Sequence, residues 1–202
     1  MTKIKLCGLS RPCEIEWANA LGPDYIGFVF SPRSKRFVLP ERAAELKKLL
    51  TPGIKAVGVF VDESPERVAA LLSEGVIDLA QLHGHEDERY IAALRKLTDR
   101  PIVQAFRVKA AEDATRAQGS SADLVLLDSG AGTGTAFDWG LISSVRRDYF
   151  LAGGLNCENV ADAVCTLRPW GVDVSSGIET DGQKDKNKMT AFVAAVRKED
   201  AQ

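Results

Sequence analysis

Two residues with acid–base chemistry end apolar, strand-like runs in this chain. Cys7 closes Lys3-Ile4-Lys5-Leu6-Cys7, where Gly8 breaks the run. Asp128 closes Leu124-Val125-Leu126-Leu127-Asp128, ahead of Ser129 and the glycine-rich Gly130-Ala131-Gly132-Thr133-Gly134. A thiol acts as a base or nucleophile only as its thiolate. A carboxyl group leaving an apolar strand can be desolvated, which raises its pKa and makes it a usable general acid near neutral pH. Each also has a plain structural use, cysteine as a small buried hydrophobe and aspartate as a turn or cap residue.

Groups suited to an anionic ligand follow other runs. Arg33, Lys35 and Arg36 crowd into Ser31-Pro32-Arg33-Ser34-Lys35-Arg36. An arginine there offers a planar fork that grips a carboxylate with two bonds, though any one of these cations also suits a solvated loop. Gly153-Gly154-Leu155-Asn156 and Asp173-Val174-Ser175-Ser176-Gly177 end two later runs. Glycines let backbone N–H groups approach a phosphate and serines add hydroxyl donors. His83, in Gln81-Leu82-His83-Gly84, suits a proton shuttle or, by preference, a satisfied structural histidine.

The elements that must position these groups recur regularly. Strand-like runs are Ile4-Leu6, Tyr25-Phe30, Ala56-Val61, Leu79-Leu82, Ile102-Phe106, Leu124-Leu127, Tyr149-Leu151 and Gly171-Val174. Their starts lie roughly 21–25 residues apart with one longer step. Helical stretches lie between them: Pro40-Leu50, a helix after Ser64-Pro65, Glu158-Leu167 after Asn156, a start at Phe137-Asp138-Trp139, and Met189-Val196 after Asp185. Strands alternating with helices imply a parallel sheet. Eight units imply a lean (β/α)₈ barrel with short loops, an α/β fold that typically needs ~250 residues and can manage near 200. No Gly-x-Gly-x-x-Gly follows the first strand, against a doubly wound sheet. Chemistry then belongs at the carboxyl edge, with phosphate between the last two strand loops.

Composition bounds the function. Residues 1–202 are expected to form one domain, with 45% hydrophobic residues and a formal net charge of −2. No basic stripe suggests nucleic acid and no apolar run approaches a membrane span. Met1-Thr2-Lys3 runs straight into a strand, so a cytoplasmic protein is expected. Four cysteines without a Cys-x-x-Cys pair suggest reduced thiols, neither a zinc site nor a disulfide scaffold.

In order along essentially the whole chain, these motifs resemble the phosphoribosylanthranilate isomerases of tryptophan biosynthesis. The resemblance rests on Lys5-Leu6-Cys7-Gly8-Leu9, Gly27-Phe28-Val29-Phe30 with the basic loop, Val57-Gly58-Val59-Phe60-Val61, Gln81-Leu82-His83-Gly84, Leu127-Asp128, Gly132-Thr133-Gly134 with Phe137-Asp138-Trp139, and the two phosphate-type loops. It implies an Amadori rearrangement of a phosphosugar–anthranilate substrate, with no metal, nucleotide or redox cofactor. It implies Cys7 as general base, Asp128 as general acid and Arg36 as the anthranilate-carboxylate anchor. Gly153, Gly154, Ser175, Ser176 and Gly177 would seat the phosphate, and Asp173 could meet a substrate hydroxyl or make a structural bond. A monomer or homodimer is compatible with it. Leu6, Ala131, Cys157 and Asp181 depart from the family pattern, the last two where proline is expected. A longer barrel that also isomerises the histidine-pathway aminoaldose, and a non-catalytic phosphate-binding barrel, are the competing readings.

Overall fold

Eight short apolar runs form eight parallel strands, each paired with the next, and the last pairs with the first to close a barrel. The computed structural model describes residues 1–128, 139–142 and 145–201. The elements are β1 (Lys3–Cys7), α1 (Pro12–Leu21), β2 (Tyr25–Val29), α2 (Pro40–Lys48), β3 (Lys55–Phe60), α3 (Pro65–Ser73), β4 (Leu79–Leu82), α4 (Glu88–Arg95), β5 (Ile102–Arg107), α5 (Ala111–Gly119), β6 (Leu124–Asp128), a 3₁₀ turn (Trp139–Ile142), β7 (Tyr149–Ala152), α6 (Val160–Leu167) and β8 (Gly171–Val174). After them come a 3₁₀ turn (Ser176–Ile178), the hairpin strands β9 (Glu179–Thr180) and β10 (Gln183–Lys184), and α7 (Lys186–Asp200).

Strands buried on both faces divide the core in two. Ile4 and Leu6 on β1 belong to the shell between barrel and helices, whereas Cys7 packs inside with Val29 and Val59. Below them an apolar plug of Val57, Leu79, Val103, Leu126, Phe150 and Ala152 fills the barrel. Toward the carboxyl edge the interior turns polar: Lys5, Gln81 and Asp173 are almost wholly buried. The strand period of two makes this possible, because Lys5 and Cys7 share one face of β1.

Helix starts follow local chemistry. Ser64 caps α3 by accepting from the Arg67 amide at 3.3 Å, with Pro65 at its first position. Asp185 caps α7 through the amides of Asn187 and Lys188. The expected start of α6 is corrected: Asn156 caps the turn before it, accepting from Glu158 and Asn159 amides, and the helix begins at Val160. α1, α4 and α5 come in addition to the helical stretches expected from the sequence. In α1 the signal is Glu14, whose carboxylate accepts from the Ser10 and Arg11 amides at 2.6 and 3.0 Å. The run at 130–134, including Ala131, and the start capped by Asp138 lie outside the described residues.

Candidate active site

Cys7 sits at the tip of β1, opposite Gly27 in register. A Cβ on Gly27 would lie 2.7 Å from the Cys7 sulfur, so the absence of a side chain on β2 makes room for the thiol. Burial pushes the Cys7 thiol up, the ammonium groups of Lys5 and Lys184 pull it down, and the Asp173 carboxylate adds to the rise. The net result is a thiol above its ordinary value.

Lys5 donates to Gln81 Oε1 at 2.8 Å and to Asp173 Oδ1 at 2.9 Å. Burial alone would lower its pKa, but Asp173 and Cys7 outweigh burial and hold it above the ordinary lysine value. Asp173 is thereby the partner of a buried cation; a structural bond and a bond to a substrate hydroxyl are the two uses expected of it.

The basic loop folds back beside β2 through Val38 N–H to Val29 O at 3.0 Å and Ser34 N–H to Ser31 O at 2.9 Å. This aims Arg36 inward, while Lys35 stays exposed. Gly8, at φ 81°, admits the Arg36 stem, because a Cβ there would stand 2.5 Å from its Cδ. Arg36 grips the Glu179 carboxylate with Nε at 2.5 Å and Nη2 at 2.8 Å, leaving Nη1 outside the fork. Lys184 Nζ also donates to Glu179, at 2.7 Å, and to the Ser175 carbonyl, at 2.9 Å. Burial would raise the Glu179 carboxyl, but these cation bonds prevail and hold it at about 2. Burial holds the Lys184 ammonium below the ordinary lysine value, against the opposing pull of Glu179.

Glu179, Lys184, Lys5 and Gln81 carry no assigned role on sequence grounds. The Asp181-Gly182 pair was the available signal for the first two. Its φ values of 52° and 77° join β9 to β10 in a two-residue turn. Proline, confined to negative φ, could not occupy position 181 in this turn.

Across the barrel Asp128 ends β6, and His83 Nε2 lies 3.5 Å from its Oδ2. His83 Nδ1 faces Gln81 Nε2 at 2.9 Å. The two phosphate-type loops meet between β7 and β8. Gly153 and Gly154 adopt φ 89° and 67°, in the left-handed region that favours glycine. Ser175 donates through its hydroxyl to the Cys7 carbonyl at 3.2 Å, tying this loop to β1.

One cavity of about 570 Å³ unites these groups. Cys7 and Asp128 border it with Arg36 and His83; Gly153, Gly154, Asp173, Ser175 and Ser176 line its other side. Gly177 is the exception among the expected site residues. It stands behind the wall, where a Cβ would come 1.9 Å from the Leu155 carbonyl oxygen, so it serves the close approach of the two loops. The arrangement offers a thiol and a carboxyl group on different strands around one space, an arginine at one end and a glycine/serine cradle at another. That suits proton transfers on an anionic ligand.

A family model for N-(5'-phosphoribosyl)anthranilate (PRA) isomerase matches residues 4–195. The chain is similar to the N-(5'-phosphoribosyl)anthranilate isomerase of Endomicrobium trichonymphae, 43% identical over 202 residues that cover 98% of this chain and 99% of the relative. Its fold is similar to monomers generated from the dimeric phosphoribosylanthranilate isomerase of Thermotoga maritima, with a TM-score of 0.87 and 35% identity over 98% of this chain and 100% of that one. It is similar to the same degree, TM-score 0.87 and 34% identity over the same shares of the two chains, to a phosphoribosyl anthranilate isomerase solved with reduced 1-(o-carboxyphenylamino)-1-deoxyribulose 5-phosphate.

Proposed function

The chain belongs to the N-(5'-phosphoribosyl)anthranilate isomerase family of tryptophan biosynthesis, and from that premise we propose that Cys7 is its general base and Asp128 its general acid. It is an isomerase acting on a small molecule. In this reading residues 1–202 act as one catalytic barrel that turns N-(5'-phosphoribosyl)anthranilate into 1-(2-carboxyphenylamino)-1-deoxyribulose 5-phosphate.

Protonated Asp128 gives its proton to the ribose ring oxygen as the bond from that oxygen to C1 breaks, leaving an iminium at the anthranilate nitrogen. The Cys7 thiolate removes the proton from C2, and the released electron pair neutralises the iminium to an enolamine. The enolamine then tautomerises to the ketone. Each turnover leaves a proton on Cys7 and takes one from Asp128, and exchange with solvent restores both. Arg36, held by Glu179, turns its remaining nitrogen to the anthranilate carboxylate. The Gly153-Gly154 and Ser175-Ser176 loops hold the phosphate, and binding energy at that remote end orients the reacting carbons.

The single cavity shared by Cys7, Asp128, Arg36 and both loops is the observation that carries this reading. A fluorescence assay following loss of the anthranilate-linked substrate tests it. Cys7→Ala and Asp128→Ala should each abolish most turnover with an unchanged circular dichroism spectrum. Arg36→Ala should mainly raise KM. Full activity in either of the first two variants would refute the acid–base assignment.

A cytoplasmic location suits the free thiols of Cys7, Cys13, Cys157 and Cys165. Among the described residues no helix is long and apolar enough to cross a membrane. A monomer and a homodimer, the second by likeness to the Thermotoga maritima relative, are both compatible with the barrel.

A further inference from the structure

A line of hydrogen-bonding groups crosses the barrel mouth from β1 to β6, and its direction can be read from one end. A lysine ammonium has only protons to give. Lys5 Nζ lies 2.8 Å from one end of the Gln81 side chain, so that end must be the carbonyl oxygen. The other end, 2.9 Å from His83 Nδ1, is therefore the amide NH₂, which has only protons to give. Nδ1 must then accept, so it carries no proton. The imidazole proton is left on Nε2, which points at Asp128 Oδ2 across 3.5 Å. Gln81 is almost wholly buried, so water does not readily substitute for either of its bonds.

We propose that Gln81 is a positioning residue that holds His83 in its Nε2–H tautomer, so that the ring's N–H, and not its bare nitrogen, faces Asp128. This rests on the reading of Asp128 as the general acid. Lys5 thus fixes the proton position of a ring on the far side of Gln81 without touching it.

The charged groups around the ring come from several elements. Asp128 faces it from β6, and Arg107 of β5 borders the same cavity. Lys5 on β1 and its partner Asp173 on β8 stand behind Gln81. Glu86, in the turn after His83, is occupied by the amides of Asp62 and Gly84 at 2.7 Å each.

Nitrogen-15 NMR of the wild-type imidazoles tests this, with His83→Gln used to assign the His83 signals apart from those of His85. At mildly alkaline pH the two-bond couplings should report a protonated Nε2 and a bare Nδ1. A protonated Nδ1 would overturn the proposal. In Gln81→Glu, whose carboxylate can only accept, the His83 signature should move to a protonated Nδ1; an unchanged signature would count against it. Gln81→Met, which needs no buried charge, should lose about tenfold or more in kcat with KM nearly unchanged, and retention of full kcat would also overturn it. Asp128→Asn separates the two levels: full activity there would sink the general-acid reading while leaving the tautomer measurement standing.

Discussion

At the scale of single residues, the cation-rich end of the cavity is organised by one carboxylate. Glu179 receives Arg36, Lys184 and Lys35, and its ionised form is favoured in the fold from an ordinary 4.5 down to about 2. A carboxyl held low contributes stability that is complete above the unfolded value and disappears as pH falls through the folded one. The wild type should therefore lose about 3 kcal/mol between pH 4.5 and 2 from this group, measured as the difference in urea midpoints against Glu179→Gln across that window. A difference that does not shrink with acid would disprove the coupling. That Cys7, Asp128 and Arg36 border one cavity was legible from their places at a strand end or in a charged loop, while their proposed roles came from the family resemblance. Glu179 was not legible, because a lone glutamate after a serine/glycine loop has no pattern until the arginine that it grips, 143 positions earlier, is brought to it. Lys5 was half legible: period-two alternation puts it on the face of Cys7, but its partners Gln81 and Asp173 lie on strands remote in sequence.

At the scale of elements, the site depends on places where backbone comes close to backbone or thiol. Gly177→Ala should push the loop after β8 away from the Leu155 carbonyl, because the added carbon has no room. The phosphate end should suffer first, with KM rising about tenfold or more and kcat falling less; steady-state kinetics would decide, and an unaltered KM would argue that the loops do not share the phosphate. The eight strands were legible to within a residue or two, because buried parallel strands are short apolar runs separated by helices. The hairpin of β9 and β10 escaped notice because two-residue strands are too short to alternate visibly, although Asp-Gly is a strong two-residue turn signal. The start expected for α6 falls too early because Asn156 makes cap-like bonds to a turn that is not yet helix.

At the scale of the molecule, a clasp joins the two ends of the fold, beside the β1–β8 pairing that closes the barrel. Asp24 accepts from Lys3 Nζ at 2.7 Å, from the Ile4 amide at 3.0 Å and from Arg197 of α7 at 3.3 Å. Burial would raise its carboxyl, but these bonds hold it below the ordinary carboxylate value. Asp24→Ala should cost about 1–3 kcal/mol, seen as a Tm lower by roughly 2–4 °C for each kcal/mol in a chain of this size, with activity at low temperature retained. The clasp was invisible in sequence because its members sit in β1, in the loop before β2 and in α7. Closure also has a consequence in time. Lys5 and Asp173 lie 168 positions apart, and a ribosome adding ~5–20 residues per second needs on the order of ten to thirty seconds to travel between them. Through that interval the first strand, with its ammonium and its thiol, waits without the carboxylate that will pair with Lys5. The cavity is lined by Cys7 of β1 and by the loop after β8 alike, so it is complete only once both have been made.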